Sequence, residues 1–419
     1  MNSLWNFDYI EVNEKTKDKI ILFYLVLLLL IGLILDTPSA LYTGMKNIFL
    51  STGTLLTDYT EVGGVGAALI NGSLIGILGY VILKINKVSF SGPAIASVFT
   101  MTGFGFFGKN IWSVVPVIFG AYLYSKVKKQ KFKNHIFPAL FSTALVPLVT
   151  HVAFEFQWGY LASITIGVTS GFIISPIASH LLRTHEGYNL YNVGFAAGFI
   201  GLLFVSIFRN FGFDSSSVMI WGTENSQLLR KIFISIFISM VICGIILTKG
   251  KFKNYIELVK HPGTLISDFP YSAGFGSTIL NMGLVGLIGV IYIELVNGHY
   301  NGPTVGALLT MAGFAAFGKH PLNITPVMFG AYLATLTDFT VYSANNPTAL
   351  LAALFGTTLA PLSGAYGPLV GILAGFTHLC IVSNVGVLHG WLNLYNNGFS
   401  GGIVATIFIA LIQGLKTDK

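Results

Sequence analysis

The stretch SGPAIASVFTMTGFGFFGKNIWSVVPVIFGAYL, residues Ser91–Leu123, returns 210 positions later as NGPTVGALLTMAGFAAFGKHPLNITPVMFGAYL, residues Asn301–Leu333, with no gap. The match runs upstream through Asp58 and Asp268 and through GAALINGSLIGILG (Gly66–Gly79) and GSTILNMGLVGLIG (Gly276–Gly289). Downstream the register drifts through loop insertions. LFSTALVPL (Leu140–Leu148) pairs with LFGTTLAPL (Leu354–Leu362), and NLYNVGFAAG (Asn189–Gly198) with NLYNNGFSGG (Asn393–Gly402). A duplication of this length inside an apolar chain is the signature of membrane transport folds.

The apolar character is decisive for class. Only 9% of the 419 residues are charged and 53% are hydrophobic, whereas soluble domains carry roughly 25% charged residues. Apolar runs such as 20–35, 232–247 and 403–412 recur to the end. The expectation is an all-α polytopic membrane protein. The first run follows lysines but no small-x-small cleavage site, and the second half has an equivalent run, so it reads as a span and not a signal peptide. The net charge of +7 is assigned to cytoplasmic loops and not to nucleic-acid binding. Cys243 and Cys380 lie in apolar runs and read as small buried hydrophobes.

The organisation follows. Residues 1–14 form a cytoplasmic tail, 15–210 repeat one, 211–227 a polar linker and 228–419 repeat two. Each repeat holds seven apolar segments, giving about 14 helical segments in all. If every segment crosses, an odd number turns the second repeat upside down. Loop charge supports this: with the N-terminus inside, 18 Lys/Arg fall on the cytoplasmic side and 5 on the other. Making 93–107 and 303–317 re-entrant changes the split to 11 against 12 and erases the bias that sets topology. The lysine-rich loop 126–133 has a lysine-free counterpart near 337–346, as inverted repeats would require. Segments 93–107 and 111–125 would each cover roughly 22 Å as helix, short of the ~30 Å hydrocarbon core. Short or broken segments are tolerated only inside protein or beside a water-filled cavity, which places them at the centre.

The candidate site residues come from the same pairs. Ser91-Gly92-Pro93 and Asn301-Gly302-Pro303 read as helix starts, whose free N–H groups can hold an anion or a carbonyl oxygen. Thr100-Met101 and Thr310-Met311 follow two turns on and would line a path, although a membrane-helix threonine also bonds its own backbone. Asn71 and Asn281 lie within spans and could bond solute or a neighbouring helix. Lys109 and Lys319 close the GF…FGK pattern, either as snorkelling residues or as anion-attracting groups at each mouth. Asn189, Asn192, Asn393 and Asn396 belong to the duplicated NLYN pairs, where helix capping competes with hydrogen bonding to a polar solute. Asp58 and Asp268 are the acids matched between repeats; they read as helix caps or as groups coupling flux to an ion. His151 and Glu155 are four apart but have no counterpart in repeat two. No hydrolase, metalloprotease or phosphate-loop motif is present, so no enzymatic activity, cofactor or metal is expected.

These duplicated GP…TMxGF…FGK…P-V-x-F-G-A-Y segments resemble a bacterial inner-membrane family catalogued as a domain of unknown function. A looser resemblance is to urea transporters, through Gly92-Pro93, Gly302-Pro303 and Gly187-Tyr188-Asn189. Gly390-Trp391-Leu392-Asn393 and the extra spans depart from that layout. The combined expectation is an inner-membrane transporter of a small polar or anionic solute, with both termini cytoplasmic. Its partners would be that solute, the lipid bilayer, H+ or Na+ as coupling ion, and further copies of itself. A passive channel for a neutral solute such as urea is the alternative. Single cysteines placed in the 126–134 loop and in the 337–347 loop should react with an impermeant thiol reagent from opposite sides of the membrane. Labelling of both from one side would rule out inversion.

Overall fold

The computed structural model describes residues 10–336 and 341–415, and these are helical with no extended sheet. In repeat one the main helices are α1 (Glu14–Leu35), α2 (Pro38–Leu50), α3 (Val65–Ile85), α4 (Gly92–Phe104), α5 (Ile111–Val127), α6 (Ile136–Phe154), α7 (Gly159–Leu181) and α8 (Asn192–Asn210). In repeat two they are α9 (Ser226–Thr248), α10 (Phe275–Leu295), α11 (Gly302–Phe314), α12 (Pro321–Leu333), α13 (Pro347–Tyr366), α14 (Pro368–Val385) and α15 (Asn396–Gly414). Among the described residues, ten helices are long and apolar enough to cross a bilayer. The chain is a multi-pass membrane protein.

Each of the seven apolar segments of repeat one has its helix and its counterpart. α2 is the addition. Thr37 caps it through its hydroxyl, it is mostly exposed, and repeat two has only the short helix Lys253–Leu258 in its place. Its polar residues broke the long apolar run that a span would need, so the sequence reading passed over it.

Burial sorts the helices radially. α6 and α13 are buried over most of their length, whereas only about a third of α1 and α9 is buried. The exposed faces remain apolar, with Phe23, Leu161, Leu203 and Ile242 pointing outward, as a lipid boundary requires. Cys380 is on this outer surface and Cys243 is half-buried. The expectation that both are buried is corrected: lipid-facing and protein-facing positions are equally apolar, so an apolar run does not separate them.

The two short GP helices form the centre. α4 and α11 hold 13 residues each, roughly 20 Å of helix. Pro93 and Pro303 open them at positions where no donor is lost. Small residues let them cross at backbone contact. A Cβ on Gly103 would stand 2.6 Å from the Gly306 carbonyl, and one on Gly313 2.7 Å from the Phe99 Cβ. Because Gly103 meets Gly306 while Gly313 meets Phe99, the pair runs antiparallel. Close approach of this kind is how helices associate where lipid offers no hydrophobic drive.

The linker is tied to repeat one. Leu56 N–H donates to the Val218 carbonyl (2.7 Å), Ile220 N–H to Leu56 (3.0 Å) and Asp58 N–H to Ile220 (3.1 Å). Gly103→Val should overpack the α4–α11 crossing at a cost of about 1–3 kcal/mol, seen as a lowered melting temperature of the detergent-purified protein. Gly414→Ala, where nothing lies within 4 Å of an added Cβ, should leave it unchanged.

Candidate functional site

Between α4 and its following helix the chain leaves helical form over residues 105–110, and it does so again over 315–320. Both segments are buried, so their backbone groups need partners. Asn71 on α3 supplies them, donating to the carbonyls of Gly105 (2.6 Å) and Lys109 (2.7 Å). Asn281 on α10 does the same for Ala315 (2.8 Å) and Lys319 (2.7 Å). Gly108 and Gly318 adopt φ of +81° and +130°, values that favour glycine. The turn they allow directs the next side chain, a lysine, inward.

Lys109 and Lys319 are both fully buried. They are not at the mouths of the molecule, where the sequence reading put them, but at its centre. Lys109 Nζ donates to Thr143 Oγ1 at 2.8 Å and sits 4.7 Å from the Phe104 ring and 5.8 Å from the Tyr395 ring. Lys319 Nζ donates to Thr357 Oγ1 at 2.7 Å and to the Tyr191 hydroxyl at 2.6 Å. It lies 4.5 Å from the Tyr191 ring and 5.5 Å from the Phe314 ring. Both threonines stand where α6 and α13 break into 3-10 turns at Thr143–Leu145 and Thr357–Leu359. They donate their own O–H groups to the Leu140 (2.6 Å) and Leu354 (2.5 Å) carbonyls, which leaves the oxygens to accept from the lysines. Among the described residues neither lysine has a salt bridge. Ring faces and hydroxyls offset part of the desolvation of an ammonium, but a buried charge without a counter-charge is costly. Intramembrane ionisable groups are for that reason functional candidates.

The rings between the lysines form one cluster. Tyr191 and Tyr395 stand 5.7 Å apart, Tyr191 and Phe314 4.6 Å, and Phe104 and Tyr395 4.6 Å. Two cavities flank it at equivalent positions, each walled by residues of both repeats. Cavity one, of about 310 Å³, is walled by Phe137, Phe141, Leu190, Asn192, Leu265 and Phe317. Cavity two, of about 240 Å³, is walled by the equivalent Leu351, Phe355, Leu394, Asn396, Leu55 and Phe107. Cavity one extends inward to Tyr191, Tyr395 and Phe314; the lining of cavity two stops at Phe107 and Phe355.

The GP helix starts are filled from within the chain. Asp58 Oδ1 accepts from Gly302 N–H (2.9 Å), and Asp268 Oδ1 from Gly92 N–H (3.0 Å). Each repeat thus places a carboxylate on the positive end of the other repeat's central helix. Asp58 is buried and accepts further from Thr60 N–H (2.9 Å), the Thr60 hydroxyl (2.7 Å) and Gly222 N–H (3.0 Å). Asp268 is half-buried and adds only Tyr271 N–H at 3.4 Å. The structure therefore joins two groups that the sequence reading kept apart: the matched acids and the helix starts of Ser91-Gly92-Pro93 and Asn301-Gly302-Pro303. Asn301 itself caps α11 through Thr304 N–H (3.1 Å).

The remaining candidates scatter. Thr310 bonds back to the Gly306 carbonyl (2.7 Å). Thr100 lies beside the Tyr395 hydroxyl without a completed hydrogen bond. Met101 and Met311 pack away from the centre, against Gly79 and Gly289. Asn189 and Asn393 cross to the opposite repeat, donating to the Gly398 (3.1 Å) and Gly194 (3.4 Å) carbonyls. Asn192 and Asn396 pair with His185 and His389, each at 2.9 Å. His151 is buried while Glu155 is exposed at the end of its helix, so they do not form a joint site. His185 and His389 were missed, although both stand seven residues before the matching asparagine. Thr143 and Thr357 were also missed, although they lie in the duplicated LFSTALVPL and LFGTTLAPL segments.

One family model matches the chain over residues 37–210 and again over 247–414. The chain belongs to that family, described as a protein of unknown function (DUF1576). The two DUF1576 matches begin 210 residues apart and end 204 apart, the same offsets as the internal repeat. No curated protein and no solved structure matches it.

Removing the Asp58 carboxylate strands the N–H groups of Gly302, Gly222 and Thr60, each worth about 1–3 kcal/mol when buried unpaired. Asp58→Ala should therefore lower the melting temperature more than Asp268→Ala. Equal losses would contradict the unequal bonding.

Proposed function

We propose that the chain is a secondary transporter of a small anionic solute, built from two inverted repeats in the cytoplasmic membrane with both termini inside. The observation that carries this reading is the pair of buried lysines, Lys109 and Lys319, with no carboxylate against them among the described residues. An ammonium buried without a counter-charge is costly, so either lysine would favour an anion that completes the charge balance and would repel a cation. Inversion is supported by the antiparallel α4–α11 crossing together with the loop-charge bias.

The two cavities favour a transporter over a channel. They occupy equivalent places, yet only one reaches the tyrosine pair. A solute entering from one side meets buried aromatic rings before the other cavity. Passage then requires the repeats to exchange roles, which is alternating access. Asp58 and Asp268 provide the coupling in this scheme. Each negative oxygen holds the start of the opposite central helix. Protonation would weaken that hold at the crossing that has to move.

The test is uptake into proteoliposomes of radiolabelled chloride, phosphate, benzoate, succinate and urea. At least one anion should enter saturably and accumulate only with an imposed pH or sodium gradient, and Lys109→Met and Lys319→Met should each reduce its uptake tenfold or more. Saturable anion uptake that ignores both lysine changes would overturn the site, and non-saturating urea flux would identify a channel. Asp58→Asn and Asp268→Asn should uncouple uptake from the gradient; full gradient dependence in both variants would remove the acids from coupling.

A further inference from the structure

Cavity one narrows the solute class, granted that the proposed anion transport is correct. Its walls are Phe137, Pro138, Phe141, Leu190 and Leu265, with Phe314 at the inner end. The few polar side chains that reach it are already engaged. Asn192 has its oxygen on His185 (2.9 Å) and its amide on the Ala178 carbonyl (2.9 Å). Ser179 donates to the Ser175 carbonyl at 2.9 Å. A polar neutral solute such as urea or a sugar would lose its hydration here and find few replacements, a penalty that unpaired polar groups make large.

The inner end is different. Tyr191 accepts a hydrogen bond from Lys319 at 2.6 Å, and its O–H, which also lies against Thr357, can turn to donate. The Tyr395 hydroxyl is buried with no completed hydrogen bond, and its ring is 5.7 Å from that of Tyr191. Two phenol donors, one polarised by an ammonium, suit an acceptor with two oxygens and one negative charge. A carboxylate has that form. The wall residues require that the rest of the molecule be apolar.

We infer that the solute is a small apolar monocarboxylate, such as a short-chain fatty acid or an aromatic acid. Its carboxylate is held by Tyr191 and Tyr395, with Lys319 behind Tyr191 supplying the charge through the Tyr191 hydroxyl, and its hydrocarbon part fills the cavity between α6 and α7. Such anions are weak acids whose neutral forms leak through lipid, so a carrier for them acts on the charged form.

The experiment uses the full chain in detergent and in proteoliposomes, with benzoate as the probe. Benzoate should raise the melting temperature by several degrees in a saturable way, and succinate, phosphate, chloride and urea should not. Lys319→Met should weaken benzoate binding at least tenfold. Ala178→Phe introduces a ring into the apolar wall from α7, a helix that does not carry the lysine. It should abolish benzoate uptake while acetate uptake continues. Lysine-dependent transport of chloride, phosphate or succinate without benzoate would overturn the monocarboxylate and leave anion transport standing. Transport of urea alone would overturn both. Normal benzoate binding by Ala178→Phe would remove this cavity as its site.

Discussion

Each half of the molecule depends on a carboxylate supplied by the other. Asp58 and Asp268 sit on the N-termini of α11 and α4, 244 and 176 residues away along the chain. A helix start buried without acceptors would leave several N–H groups unpaired. The reciprocal bond answers that need in both repeats at once. It also sets how α4 and α11 meet, since the helices are anchored at opposite ends and cross at their glycines. The segments that leave helical form after each central helix then descend into the interior, carrying Lys109 and Lys319.

The lysines follow from this frame. Position-specific devices hold each one: a glycine with positive φ before it, an asparagine bonding the backbone around it, and a threonine at a 3-10 break in the facing helix whose oxygen accepts from the lysine. Every device occurs twice. The arrangement is thus built into the duplicated unit, and a single copy would supply only half of the aromatic cluster and one of its charges.

Much of the fold was legible in the sequence because its causes are local. Apolar length, charge scarcity and the prolines of Pro93 and Pro303 act within a turn or two, and the helices lie where those patterns put them. The shortness of segments 93–107 and 111–125 was also readable, but it placed only the first: α4 is interior, whereas α5 turns Val115 and Phe119 outward, since length alone does not say which neighbours cover a helix. The acids' targets were not legible, because a bond spanning hundreds of residues leaves no local pattern. Lysine is a surface residue in most settings, which drew Lys109 and Lys319 to the mouths. Cys380 shows a limit particular to membranes: a position against lipid and one against protein look alike. His185 and His389 could have been found, since their spacing to Asn192 and Asn396 repeats without change.

The unequal cavities have an energetic meaning. Walls drawn from matching positions have settled into two shapes, one reaching the tyrosines and one stopping short. One local difference that accompanies this is the bond from Lys319 to Tyr191, which Lys109 does not make to Tyr395. A hydrogen bond of this charged kind is worth about 1.5–3 kcal/mol, and about 1.4 kcal/mol is a tenfold change in population. In the proposed transport cycle the twin state is the one in which Lys109 bonds Tyr395 and Lys319 releases Tyr191, so these few side chains would weigh on the ratio between the two.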